Sequence, residues 1–234
     1  MRLRPSLSAG LVLGPVLLSG ILAGCGGSSS GNGVAGKAPT DIVAAAKVAA
    51  DAANSVHVSG SIVSGGSPIT LDLDLLAGKG GRGQLTENGL GFELILTGGT
   101  VYIKGSPAFY RHIGGTAAAQ LLQGKWLKAP TTSKEFASIS SLTDLRQLVD
   151  STLANHGTLT KGGTTTVSGQ KVIGVTDATK GGTLYVATTG QPYPIEITKS
   201  GASGGTIAFE RWNESVSLAA PANAIDITQL QSGH

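Results

Sequence analysis

The sequence predicts an α+β domain, a curved antiparallel β-sheet with two or three helices on its concave face. Three observations predict it. Ten short runs alternate apolar and polar residues, five before residue 105 and five after residue 163. Between and before these blocks lie stretches whose apolar residues follow helical spacing. The composition is aliphatic and turn-rich, with 36 Gly, 40% hydrophobic residues and only 4% aromatic among 234 residues.

The first helix is expected from Thr40 to about Asn54, where Ile42, Val43, Ala46, Ala49, Ala50 and Ala53 form one apolar, closely packing face. Strands follow through Val56, Val58 and Ile62, then through Ile69, Leu71, Leu73 and Leu75. In the second of these, Thr70, Asp72 and Asp74 face the other way, so one sheet face is wet. Gly78-Lys79-Gly80-Gly81 turns the chain into a strand near Arg82 to Glu87, followed by Leu90, Phe92, Leu94 and Leu96, then Val101 and Ile103. The middle reads as helical or irregular over Thr116 to Gln123 and Lys125 to Leu127. A clearer helix runs from Thr143 to His156, with Leu145, Leu148, Val149, Thr152 and Leu153 on one face and Gly157 as its expected cap. The second block of strands covers Thr164 to Val167, Lys171 to Thr176, Thr183 to Ala187, Pro194 to Thr198 and Thr206 to Arg211.

Ahead of all this, MRLRPSLSAGLVLGPVLLSGILAGC joins a basic start to an apolar stretch from about Leu7 to Leu22, the layout of a secretory signal peptide. Gly14, Pro15 and Gly20 interrupt it, which argues against a membrane-spanning helix, since spanning takes about 20 apolar residues in succession. Leu22-Ala23-Gly24-Cys25 resembles the bacterial lipobox, in which the cysteine sulfur receives diacylglycerol and becomes the mature N-terminus. At roughly 0.8 kcal/mol per buried CH2, two or three acyl chains hold a protein firmly to a bilayer. Residues 1–24 are therefore expected as a signal peptide, 25–39 as a Gly/Ser-rich tether, and 40–234 as one domain facing the exterior of the cell membrane.

Several function classes are excluded or disfavoured. Seventeen basic against 14 acidic residues give +3, and removal of Arg2 and Arg4 with the signal segment leaves +1. The lysines are dispersed, which disfavours nucleic acid as a partner. One cysteine excludes a disulfide framework, and His57, His112, His156 and His234 lie too far apart for a local metal site. No cofactor is expected. Gly31-Asn32-Gly33-Val34-Ala35-Gly36 and Gly78-Lys79-Gly80-Gly81-Arg82-Gly83 fit G-x-G-x-x-G, but neither sits between a strand and a helix as a dinucleotide site requires. Gly201-Ala202-Ser203-Gly204-Gly205 fits G-x-S-x-G but joins two strands, whereas a nucleophile elbow needs a strand-to-helix turn. Asp72 and Asp74 read as a solvated face, His57 as an exposed residue without an acid nearby, and Trp126 and Trp212 as core or interface anchors before carbohydrate platforms. No catalytic set emerges, so no enzyme is expected.

Several segments in order resemble the LppX/LprAFG lipoprotein family of actinobacteria, and more distantly the LolA lipoprotein carrier. They are the lipobox at Cys25, the first helix and the strand with Val56-His57-Val58, Gly99-Thr100-Val101-Tyr102-Ile103-Lys104, and Gly124-Lys125-Trp126-Leu127. Later come Gly182-Thr183-Leu184-Tyr185-Val186, Gln191-Pro192-Tyr193-Pro194-Ile195-Glu196-Ile197, and Phe209-Glu210-Arg211-Trp212-Asn213 ahead of Pro221. The resemblance implies a LolA-like half-barrel over helices, an apolar cavity that accepts acylated lipid or lipoglycan, and for some members a membrane exporter as partner. It carries no catalytic residue.

From the residues alone, the inward aliphatic side chains either pack solid or leave room for lipid tails. The cavity candidates are Leu71, Leu73, Leu75, Phe92, Leu94, Leu96, Val101, Ile103, Leu145, Leu148 and Val149. The expected function is noncovalent lipid binding and transport by a surface lipoprotein. The alternative is a structural or regulatory envelope module that binds a protein partner.

Overall fold

The computed structural model describes residues 31–133 and 143–227; the expected signal segment and Cys25 lie outside them. The chain runs α1 (Pro39–Asp51), β1 (Ser55–Ser64), β2 (Ser67–Leu76), β3 (Gly80–Glu87), β4 (Leu90–Thr97), β5 (Thr100–Gly105), α2 (Pro107–Leu122), β6 (Leu127–Pro130), α3 (Leu145–Leu153), β7 (Leu159–Val167), β8 (Gln170–Asp177), β9 (Thr183–Ala187), β10 (Pro194–Lys199), β11 (Gly205–Glu210) and β12 (Ile225–Asp226). The strands form one open sheet in the order β12-β6-β5-β4-β3-β2-β1-β11-β10-β9-β8-β7. Every pairing is antiparallel except β12 with β6. All ten expected strands are present. The pairing of β1 with β11 fuses the two blocks into one surface.

Registers on the concave side arrange the apolar residues in rows across the strands. One row runs Val56, Leu75, Gly81, Leu96, Val101, Ala129. The next runs Phe209, Val58, Leu73, Gly83, Leu94, Ile103, Leu127. A third runs Leu184, Ile197, Ile207, Gly60, Leu71, Leu85, Phe92. Gly60 and Gly83 interrupt their rows at positive φ, 152° and 155°. A Cβ at either would lie 2.0 Å from a carbonyl oxygen of the adjoining strand, Thr206 or Asp72. Only glycine admits that approach, and it lets the strands bend.

Into the curve pack α1 and α3. Ile42, Val43, Ala46, Ala49, Ala50 and Ala53 are all buried, as their helical spacing predicts. The small side chains of α1 permit close approach to Leu145, Val149 and Leu153 of α3, and Lys47 spans the two helices by pairing with Asp51 and Asp150. Helix α1 starts at Pro39 rather than Thr40, with Ala38 as its N-cap, because proline's fixed φ suits the first helical turn. Helix α3 starts at Leu145 behind Asp144, whose side chain accepts from the Gln147 N–H at 2.9 Å. It ends at Leu153, and Gly157 caps nothing. Its N–H instead donates to Asp177 Oδ2 at 2.8 Å.

Three further differences have physical causes. Residues 31–38, assigned by composition to the tether, are docked against the domain. Val34 is 1% exposed within the main core, and the Asn32 side-chain amide donates to the Ala187 and Gly190 carbonyls at 3.0 and 3.1 Å. A lone valine among glycines has no periodicity, so the sequence does not reveal this. Helix α2 begins nine residues before the expected Thr116, and Gly114 and Gly115 break it midway. Strand β6 replaces an irregular segment at Leu127, because β5 offers it an edge.

Replacing Gly83 with Ala is expected to lower stability by at least the roughly 1–3 kcal/mol of a strained backbone conformation, with the carbonyl clash added. Gly163→Ala, where an added Cβ meets nothing within 4 Å, is expected to leave the urea midpoint unchanged. Equal midpoints for the two variants would remove the glycine bend as the source of curvature.

Candidate functional site

The convex face is polar and centred on Asp74. His57 Nδ1 lies 3.0 Å from Asp74 Oδ1, Arg211 donates to the same oxygen at 3.0 Å, and Arg82 donates to Oδ2 at 3.4 Å. Asp72 is the exposed neighbour, 3.8 Å from His57 Nε2. His57 thus has an acid partner that the sequence reading did not assign, because the partner belongs to another strand. The arrangement binds β11, β1, β2 and β3 together and presents no nucleophile. Among the described residues no cluster of metal-ligating side chains occurs. The Gly201–Gly205 segment joins β10 to β11 as expected. Trp212 is an anchor: it stacks on Tyr193 at 4.5 Å between centroids, and its Nε1 donates to the Pro194 carbonyl at 3.2 Å.

The concave face separates the eleven cavity candidates into two groups. Leu73, Leu75, Leu94, Val101, Ile103, Leu145 and Val149 are buried. Leu73, Leu75 and Leu94 pack into one cluster with Leu145 and Val149 of α3, so the middle of the interior is filled by side chains. Leu71, Phe92, Leu96 and Leu148 are half-buried. Leu71, Phe92 and Leu148 pack against that cluster, so among the described residues the face is filled in the middle, and Leu96 alone of the eleven borders the concavity at one margin.

At the margin marked by Leu96 lies a concavity of about 860 Å3, within the roughly 300–1,000 Å3 range of ligand pockets. It is built by the β2–β3 turn, the β4–β5 turn, the residue after β6, the start of α3 and the segment through Val216–Leu218. Leu76, Leu96, Val216 and Leu218 supply apolar surface, while Lys79, Thr131, Asp144 and Gln147 supply polar groups. The lining is amphiphilic. Val216 and Leu218 were not singled out from sequence, because they sit in an irregular stretch without periodicity.

Crystal structures that resemble this one include two from mycobacteria. LprF from Mycobacterium bovis aligns over 79% of this chain and 97% of its own, with a TM-score of 0.57 at 15% identity. The lipoprotein LppX of Mycobacterium tuberculosis aligns over 77% of this chain and 98% of its own, with a TM-score of 0.51 at 19% identity. The chain has the LprF/LppX fold. No protein-family model and no curated protein sequence matches it. The expected α+β class with an antiparallel sheet and two or three helices is borne out by the LprF/LppX fold, in which the sheet is open and mostly antiparallel and the α-helices number three among the described residues. None of those helices is long and apolar enough to cross a membrane.

A smaller concavity of about 150 Å3 lies where α3 meets the β8–β9 turn, lined by Val43, Leu153, Leu159, Val175, Leu184 and Ile197 and bordered by Asp177. Backbone N–H groups of Lys180, Gly157 and Thr179 donate to the Asp177 carboxylate and hold its pKa below the ordinary carboxylate value. Because the folded value lies below the unfolded one, this contribution to stability is present above the unfolded carboxylate pKa and is lost as pH falls through the folded value. Asp177→Asn is expected to be less stable at neutral pH and to show a shallower acid limb when unfolding midpoints are followed from pH 7 down through the carboxylate range. Parallel acid limbs would show that Asp177 contributes nothing to acid sensitivity.

Proposed function

We propose that this protein is a surface lipoprotein that binds acylated lipid or lipoglycan noncovalently and ferries it, without covalent chemistry. The observation that carries the reading is the amphiphilic concavity of about 860 Å3 at the open margin of an apolar concave face. An acyl chain needs charge-free surface, which Leu76, Leu96, Val216 and Leu218 provide, and each buried CH2 contributes roughly 0.8 kcal/mol. A polar headgroup needs hydrogen-bonding partners at the rim, which Lys79, Asp144 and Gln147 provide. The LprF/LppX fold supports the reading at the level of architecture, and a membrane lipid exporter is the class of partner such a carrier would serve. The filled middle of the interior favours a second reading, an envelope module of the same fold that binds a protein partner.

Diacylation of Cys25 is part of the proposal. Because residues 31–38 pack on the domain, five residues, 26–30, lie in sequence between that cysteine and the docked segment, a reach of at most about 3.6 Å per residue. The body would be held close to its bilayer. Intact mass of the membrane-fraction protein is expected to show loss of residues 1–24 and the acyl increment. A product that retains its signal segment without modification would overturn the anchor.

The concavity is tested by two tryptophan substitutions. Leu96→Trp places its ring at the open margin and is expected to reduce lipid recovered by extraction from the purified protein while leaving the unfolding midpoint near wild type. Leu94→Trp enters the filled middle, where overpacking costs about 1–3 kcal/mol. If the wild type carried no lipid and both substitutions were equally destabilising, the partner-binding reading would replace the carrier.

A further inference from the structure

Charge is unevenly distributed along the chain. Residues 94–134 hold five basic residues, Lys104, Arg111, Lys125, Lys128 and Lys134, and no acidic one. The remainder from Cys25 onward holds ten basic and fourteen acidic residues. The basic stretch starts in the second half of β4, includes β5, α2 and β6, and ends four residues past β6. Two of its described lysines are met by acids: Lys104 pairs with Glu93 at 2.7 Å, and Lys128 stands opposite Asp226 in the β6–β12 register. Among the described residues, Arg111 and Lys125 pair with no acid.

The same helix carries apolar side chains outward. Ile113 and Leu121 are each 58% exposed, and apart from Val48 on α1 they are the large aliphatic side chains left most open to solvent among the described residues. The opposite side of the helix is held by a few buried side chains. Tyr110, Ala119 and Leu122 form a small core with Phe109, Ala118, Leu127 and Ile225. The Gly105 N–H donates to the Tyr110 hydroxyl at 2.9 Å, and that hydroxyl donates to the Lys125 carbonyl at 3.3 Å. Burial raises the Tyr110 pKa above its ordinary value, so the hydroxyl stays protonated as a donor. At the break of α2, seven successive residues from Arg111 to Ala117 are exposed, and Gly115 takes φ 73° there. A protruding tip thus combines Ile113 with Arg111 and His112, while Leu121 and Lys125 follow.

We infer that the outer surface of α2 docks on an anionic phospholipid bilayer. Ile113 and Leu121 enter the boundary between headgroups and acyl chains, and Arg111 and Lys125 meet lipid phosphates. The absence of any acidic side chain from the stretch removes the repulsion that an anionic surface would otherwise impose. No α2 residue lines the 860 Å3 concavity, so this docking and the lipid-carrier reading can fail separately.

The test uses the full chain with Cys25→Ser, which makes an introduced cysteine the single labelling site. An environment-sensitive fluorophore is placed at Ala117→Cys on α2 or, as a control, at Ser168→Cys in the β7–β8 turn. Vesicles of equal phosphatidylglycerol and phosphatidylcholine are expected to shift emission from position 117 to the blue and expose it to quenching by lipid-borne nitroxide, while position 168 stays unchanged. Whatever else holds the chain to the vesicle, the control label reports it. Ile113→Ser with Leu121→Ser should abolish the shift at unchanged unfolding midpoint, and Arg111→Glu with Lys125→Glu or raised salt should weaken it. No shift at position 117, or an equal shift at position 168, overturns the docking. A shift of the same size on phosphatidylcholine alone overturns the anionic surface as its partner.

Discussion

The bend of the sheet depends on four places, at Gly60, Gly80, Gly83 and Gly205, where one strand's backbone occupies the position of another's side chain. At Gly60 and Gly83 a neighbouring carbonyl oxygen stands 2.0 Å from where a Cβ would be. Without that approach the strands would lie flatter, and the concave rows would not close around α1 and α3. The Ala-rich face of α1 complements the bend, since small side chains bring the helix close to both the sheet and α3. Curvature and helix composition together determine how much of the apolar face is covered.

The convex side contributes differently. Asp74 collects His57 of β1, Arg82 of β3 and Arg211 just past the end of β11, and so bridges the β1–β11 pairing that joins the two halves of the chain. The arginines are about half exposed, and pairs of that kind contribute little to stability, about 0–1 kcal/mol each. The concave packing supplies most of the stabilisation, and the charged side adds contacts between the strands that meet there.

A lipid carrier and a solid domain differ only in whether side chains fill the space between sheet and helices. Here the middle is filled, and the open volume lies at one margin, where turns and an irregular segment form walls with both apolar and polar groups. That arrangement suits an amphiphile whose chain lies shallow. It also leaves α2 on its own small cluster, joined to the main core through the Phe92–Phe109 contact and, among the described residues, exposed on its outer side.

The ten long strands, α1 and α3 were legible in the sequence, because alternation and helical spacing are local patterns that burial on one face imposes on successive residues. The inward direction of Leu73, Leu94 and Val149 was legible for the same reason. Their fate was not: whether an inward side chain touches another side chain or a void depends on what stands opposite, and periodicity contains no information about that. Strand β6 required the edge of β5, Val34 required a site in the core, and the Asp74 cluster required strands distant in sequence to become neighbours. The sequence by itself determined ten of the strands, α1, α3 and the two faces, and it carries the lipobox-like Leu22-Ala23-Gly24-Cys25, each as local pattern or motif. Only the tertiary structure decided the pairing of β1 with β11, the filled middle and the place of the concavity, because those follow from contacts between residues far apart in the chain.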